Sequence, residues 1–229
     1  MLKYVSGRDI KYTTLAEEVW RFRHRHFVER FRWEDLRRAD NREIDEFDRD
    51  DAIHLILLDS DRVIAYSRLL PTLAPHLLSD VYPQLADGFA YPKGRRIYEW
   101  TRCVAEQDAM ISGLEASVVL RTGVLEFCLS TGIHSLIVET HPKLVQLLLS
   151  TGWDVTPFAP PMELSGSLVV PIQAVASLDA LRKHHELYGI NGSVLDFHPD
   201  AINPITGRAF DLVIEHRHGE AARGKHHAA

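Results

Sequence analysis

Two cysteines, Cys103 and Cys128, are all the chain has, and their spacing suits neither a metal site nor a disulfide framework. A reducing cytoplasm is the expected compartment. Long apolar runs are missing as well. None reaches the roughly 18 residues needed to cross a bilayer, and the opening "MLKYVSGRDIKY" lacks a signal-peptide core. Neither export nor membrane insertion is expected. There is no basic excess: the formal net charge of −6 argues against nucleic-acid binding as the main task, because neutralising phosphates calls for a basic face. What is present, 229 residues of which 45% are hydrophobic and 25% charged, is enough for one compact core. No internal repeat or linker interrupts it.

Hydrophobic periodicity predicts a first helix over Thr14–Phe31, opened by Thr14 and Glu17 at capping-box spacing, with Leu15, Val19, Phe22 and His26 along one face. "AIHLILLD" and "RVIAYSRLLPT" read as an antiparallel hairpin turning around Asp59–Arg62 and ended by Pro71 and Pro75. A short helix near Ser79–Leu85 and a strand "RIYEWTRCVA" follow. "ISGLEASVVLRTGVLEFCLSTG" predicts a long helix ending at Gly132. Then come strand "HSLIVET", helix "PKLVQLLLSTG", strands near Trp153 and across "ELSGSLVVPIQAV", and a last helix over Ser177–Leu187. This order indicates an α/β sandwich, a mixed sheet with helices on both faces. One domain over residues 1–187 is expected, with 188–229 a C-terminal extension that is partly ordered at most. The histidines of that tail lack ligand spacing, and no metal site is expected.

Six carboxylates, Glu43, Asp45, Glu46, Asp48, Asp50 and Asp51, crowd nine residues immediately before the first hairpin strand. On composition alone they are a solvated acidic loop. Their neighbours suggest more, since large apolar residues and arginines flank them in "RFRHRHFVERFRWEDLRR", "SRLLPT" and "YEWTRC". Arg23 and Phe27 four apart, Trp33, the "EIDEFD" run, Arg68 in "SRLLPT", and Glu99, Thr101 and Arg102 in "EWTR" stand in one ordered pattern over about the first hundred residues. That pattern resembles the acyl-homoserine-lactone synthases, the LuxI-type autoinducer synthases. The "WEDLRRADNREID" stretch is most similar to the branch that uses branched or aromatic acyl-CoA.

The resemblance implies an acetyltransferase-like three-layer sandwich and a reaction. In that reaction the amine of S-adenosylmethionine attacks an acyl thioester, and the substrate's own carboxylate then displaces methylthioadenosine to close the lactone. S-adenosylmethionine and the thioester are co-substrates, and no cofactor is implied. The acyl donor is acyl-CoA or acyl carrier protein.

Residue chemistry suits such a substrate, which carries two cationic centres and a carboxylate. Asp45 can pair with its ammonium. Phe27 and Trp33 can face the sulfonium, although either ring could be ordinary core. Arg23, Arg68 and Arg102 can clamp carboxylates, and so many acids in one place need arginines between them. The resemblance assigns Arg23, Glu43, Asp48 and Arg68 to a buried ion network or its edge, with Arg23, Asp48, Arg68 and Thr101 also in reach of the substrate. Glu99 is the candidate base, because an α-ammonium titrating near about 8 must lose a proton before it attacks. Strand alternation puts Glu99 and Thr101 on one face and Trp100 and Arg102 on the other, unless a bulge intervenes. The fold would place the acyl chain along Ser135–Glu139 and Thr140, with Leu69, Leu120, Val138 and Leu148 as pocket walls or simple core.

Three alternatives stay open. Cys103 beside Arg102 could act as an acylated nucleophile. A generic N-acyltransferase would acylate another amine, and a non-catalytic domain would bind the same ligands without turnover. Eight arginines between Arg21 and Arg42 could dock a carrier protein, hold CoA phosphates, or pair with nearby acids.

Overall fold

The computed structural model describes residues 1–196. Its centre is one mixed sheet ordered β1-β2-β3-β4-β7-β10-β8, with β9 beside β10. β1 (Leu2–Ser6) is an edge strand that periodicity did not reveal, and a short helix α1 (Gly7–Ile10) follows it. β2 (Ile53–Asp59) and β3 (Arg62–Pro71) form the expected hairpin, Asp59 facing Arg62 across Ser60 and Asp61. β4 (Ile97–Ala105) runs antiparallel to β3 and parallel to β7 (Ser135–Thr140), the one parallel strand pair among the described residues.

The hairpin's unbroken apolar run is explained by burial on both faces. Leu55 and Leu57 pack with Leu120, Val124 and Phe127, whereas Ile56 and Leu58 pack with Val19, Phe22 and Phe27. Each such side chain contributes about 1.5–3 kcal/mol on burial. One face therefore carries α4 (Ala116–Thr131), α5 (Pro142–Ser150) and α6 (Leu178–Tyr188), and the other carries α2 (Leu15–Arg23). α3 (Leu77–Asp80) and a 3₁₀ turn over Pro83–Ala86 cover Ile137 on that second face. Helices lie on both faces, as the patterning implies. Close approach of α4 to β1 depends on Gly123, where a Cβ would stand 1.8 Å from Leu2 Cδ2.

Several boundaries differ from expectation. The first helix is α-helical only to Arg23 and becomes a π-helix over His24–Arg30, a widening that periodicity cannot show. Thr14 makes no side-chain cap, since its backbone is already helical at φ −66° and ψ −16°, and Glu17 pairs with Arg21 instead. Helical structure near Ser79–Leu85 is split between α3 and the 3₁₀ turn. The long helix starts at Ala116 because Ser112 and Gly113, at φ 51° and 81°, turn a small hairpin of β5 (Met110–Ile111) and β6 (Leu114–Glu115). Likewise Ser165 and Gly166, at φ 50° and 77°, divide the run over 163–175 into β9 (Met162–Leu164) and β10 (Ser167–Val175). β8 (Asp154–Pro157) closes the far edge.

The chain after α6 returns to the sheet. Leu195 bridges Leu2, and buried Glu126 of α4 accepts from the amides of Val194 (3.1 Å) and Leu195 (2.9 Å). The strand-like "DLVIEHRH" and the tail histidines His216, His218, His226 and His227 lie outside the described residues.

Candidate active site

The acidic loop divides by burial. Glu46, Asp50 and Asp51 are exposed, whereas the side chains of Glu43, Asp45 and Asp48 are at most 8% accessible. These three meet three arginines. Buried Arg23 donates from Nε to Glu43 and from Nη1 to Asp48 (2.7 Å). Buried Arg68 grips Asp45 with both Nη atoms (2.6 and 2.9 Å), donates to Asp48 (2.7 Å), and gives its Nε to Thr101 Oγ1 (3.1 Å). Arg102 donates from Nη2 to Glu43 (3.1 Å) and Asp45 (3.0 Å). Three guanidiniums balance three carboxylates, so buried charge is compensated. Burial would raise Glu43, but the guanidiniums of Arg23 and Arg102 bring it down to about 2. Asp48 is likewise held well below the carboxylate range against the same burial cost, by Arg23 and Arg68.

Arg102 reaches this cluster through a bulge. Between the pairs Tyr66↔Val104 and Arg68↔Thr101, β4 carries one residue more than β3, and Arg102 takes φ 53°. A left-handed non-glycine residue costs about 1–2 kcal/mol. Here it turns the side chain onto the face of Glu99 and Thr101. The guanidinium then lies 5.3 Å from the Phe27 ring centre and 5.4 Å from that of Trp33, two rings stacked 5.1 Å apart. Phe27 is buried, yet its ring takes part in this cation-binding face. Trp33 is 44% exposed at its rim. Phe27 belongs to the π-helical turn.

Glu99 is fully buried beside the cluster. Its oxygens accept from the amides of Leu77 (2.9 Å) and Leu78 (2.6 Å) at the start of α3 and stand 3.0 Å from His76 Nδ1. The pairing of β4 with β7 stops at Glu99↔Ile137, although both strands continue, so the sheet opens at Glu99. Unpaired backbone N–H groups at such an opening suit an oxyanion. Leu69, Leu120, Val138 and Leu148 all lie in the apolar cluster beneath α4–α6, and Thr140 is half-buried at the end of β7. Cys103 is exposed, and its neighbour Arg102 is turned into the acids, so the adjacent cation that would activate the thiol is engaged elsewhere. Of the basic quarter, Arg21, Arg25, Arg37 and Arg42 pair with nearby acids at the surface.

Sequence reasoning assigned no role to His76, Glu139, Tyr66 or His54. A lone carboxylate ending the apolar run "SLIVET" was the available signal for Glu139. Tyr66 and His54 support the ion cluster from below: Tyr66 Oη is 3.4 Å from Arg23 Nη1 and 2.6 Å from His54 Nδ1. Burial, foremost, pushes His54 down to about 3, so it is neutral in the fold and titrates near 6.5 once unfolded. Its contribution to stability is present above about pH 6.5 and declines as pH falls toward 3. Acidification from pH 7 to 5 is expected to cost about 2 kcal/mol from this histidine alone, read as a lower urea midpoint. In His54→Gln this part of the pH dependence should be flattened.

A mixed sheet opening between two parallel strands, with a neutral wall of arginines and carboxylates on one face, is an acetyltransferase-like α/β architecture. Residues 8–177 match the family described as autoinducer synthase. The chain belongs to the autoinducer synthase family, the acyl-homoserine-lactone synthases, and is an acyltransferase. It is 35% identical over 150 residues to the isovaleryl-homoserine lactone synthase of Bradyrhizobium diazoefficiens, covering 66% of this chain and 68% of that one. An acyl-homoserine-lactone synthase of Acinetobacter nosocomialis is 29% identical over 153 residues, with 63% and 83% covered. The CoA-dependent acyl-homoserine lactone synthase BjaI, solved with SAM and isopentyl-CoA, superposes with a TM-score of 0.82 at 29% identity, covering 90% of this chain and 96% of that one. Among the described residues no helix is long and apolar enough to cross a membrane.

Proposed function

We propose that the chain acylates the α-amine of S-adenosylmethionine from an acyl-CoA and closes an N-acyl-homoserine lactone, a quorum-sensing signal, with release of methylthioadenosine. The observation that carries this is the placement of Arg102: a cation already held between two carboxylates and two stacked rings marks a surface built for positive charge. In this reading Asp45 receives the substrate ammonium, while Phe27 and Trp33 face the sulfonium. Such a desolvated cation over a ring contributes on the order of 2 kcal/mol. Arg23, Glu43, Asp48 and Arg68 hold the wall in shape, Thr101 fixes Arg68, and Arg102 takes the substrate carboxylate as it yields its place over the rings. Glu99 lines the proton path from the amine. The synthase domain takes in residues 188–195 as well as 1–187, because Leu195 bridges Leu2 and packs in the main core.

The donor follows from similarity to the CoA-dependent neighbours, and a short or branched acyl group enters where β4 and β7 diverge, toward Leu69, Leu120, Val138, Thr140 and Leu148. Mass spectrometry of the purified protein with S-adenosylmethionine and straight, branched and aromatic acyl-CoAs should show methylthioadenosine together with one acyl-homoserine lactone. Acylation of another amine without methylthioadenosine would indicate a general N-acyltransferase. Turnover only with acyl carrier protein would reassign the donor, and binding without turnover would remove the enzyme reading.

A further inference from the structure

We infer that Glu139 is the group that accepts the proton from the substrate amine, and that Glu99 is the fixed anion beside it. This rests on the proposed acylation of S-adenosylmethionine.

Glu99 has little capacity left for a proton. Two backbone amides donate to it and His76 lies against it, so its oxygens are already taken. Glu139 is placed differently. Ile137 pairs with Glu99 across β4 and β7, and Glu139 lies two residues further along the same face, where the strands have parted. Its carboxyl lies close enough to Glu99 to interact with it, and its Oε1 is buried without a partner. Pro171 stands opposite it on β10 and offers no N–H. Of the two neighbouring carboxyls, the one with an open oxygen, Glu139, carries the proton. Burial, and next the charge of Glu99, raise Glu139 well above the carboxylate range, which suits a base that must take a proton from an amine. Among the described residues His76 faces the pair, with Asp80 accepting from the His76 amide and the Tyr91 ring against that of His76.

The step balances as follows. Glu139 first releases its resting proton to solvent as the substrate binds; once ionised it takes one proton from the ammonium, and the free amine attacks the thioester carbonyl. As the C–N bond forms and the C–S bond breaks, the second amine proton leaves with the thiolate as CoA thiol. The proton taken from the ammonium leaves Glu139 in its resting form.

Glu139→Gln is the informative variant, because its amide still donates to Glu99 but cannot accept the proton. With S-adenosylmethionine and the preferred acyl-CoA, kcat is expected to fall about 10²- to 10⁴-fold. S-adenosylmethionine affinity and melting temperature should stay near wild type, and the rise of kcat with pH should be lost. Wild-type kcat in this variant would overturn the inference and leave Glu139 a mere donor to Glu99. Infrared spectroscopy of the substrate-free protein gives a reading independent of activity. A protonated-carboxyl stretch that shifts on ¹³C-glutamate labelling should be present at neutral pH and absent in Glu139→Gln, and its absence from the wild type would overturn the pair. If the stretch is present but no acyl donor yields a lactone, the assigned reaction falls and the proton-accepting role with it, while the shared-proton pair stands.

Discussion

Asp48→Ala is expected to lose about 3–5 kcal/mol of folding stability, the largest loss from any single acid of this loop. Asp48 sits between Arg23 and Arg68, with both Nη1 atoms at 2.7 Å, and its other oxygen accepts from the Asp45 amide at 2.9 Å. Removing it leaves two fully buried guanidiniums competing for the two remaining acids. Desolvation of an unmatched buried charge is what costs, more than the loss of attraction in the pair itself. Asp51→Ala, at an exposed pair with Arg49, should change stability by less than about 0.5 kcal/mol. Urea titration at constant m-value checks both, and equal midpoint shifts would refute the buried network as a stability element. The pH sense follows from the depressed acids. Glu43, at about 2 in the fold against 4.5 as its ordinary value, contributes about 3 kcal/mol that is present above pH 4.5 and lost as pH falls toward 2.

Glu99→Gln should lower turnover by about 10²-fold or more while leaving S-adenosylmethionine affinity within a few-fold of wild type. Two effects combine. Removing the negative charge beside Glu139 lowers the pKa of Glu139, which weakens it as a base and moves the pH dependence of kcat toward lower pH. Glutamine also cannot accept every donor that Glu99 accepts, so the start of α3 loses hydrogen bonds worth about 1.5–3 kcal/mol for a charged acceptor. A kcat and KM measurement across pH, with melting temperature in parallel, separates the two. Wild-type kcat with an unmoved pH profile would remove Glu99 from the proton path.

Much of this candidate site was legible through the resemblance to the acyl-homoserine-lactone synthases. Arg23, Asp45, Asp48, Arg68, Thr101 and Arg102 were singled out from the order of "RFRHRHF", "EIDEFD", "SRLLPT" and "EWTR", and the structure brings all six into one cluster. Buried arginine needs buried acid, and few other segments of the chain could supply it. The hairpin was equally plain, because an apolar run broken by two polar residues has one compact solution. By contrast, β1 was missed: "LKYVS" pairs through its backbone along β2, which no side-chain pattern records. The capping box at Thr14 failed because a turn from α1 leads directly into α2.

Local sequence by itself therefore determined the family, the order of most elements and the identities of the charged residues, since these depend on residue type and near neighbours. Tertiary structure alone decided which guanidinium meets which carboxylate, that Arg102 turns at a bulge onto the face of Glu99, and that Glu139 lies against Glu99. Alternation along a strand assigns a side chain to a face. Its partner on that face comes from the register of a strand tens of residues away, and a single extra residue in one strand reverses the assignment.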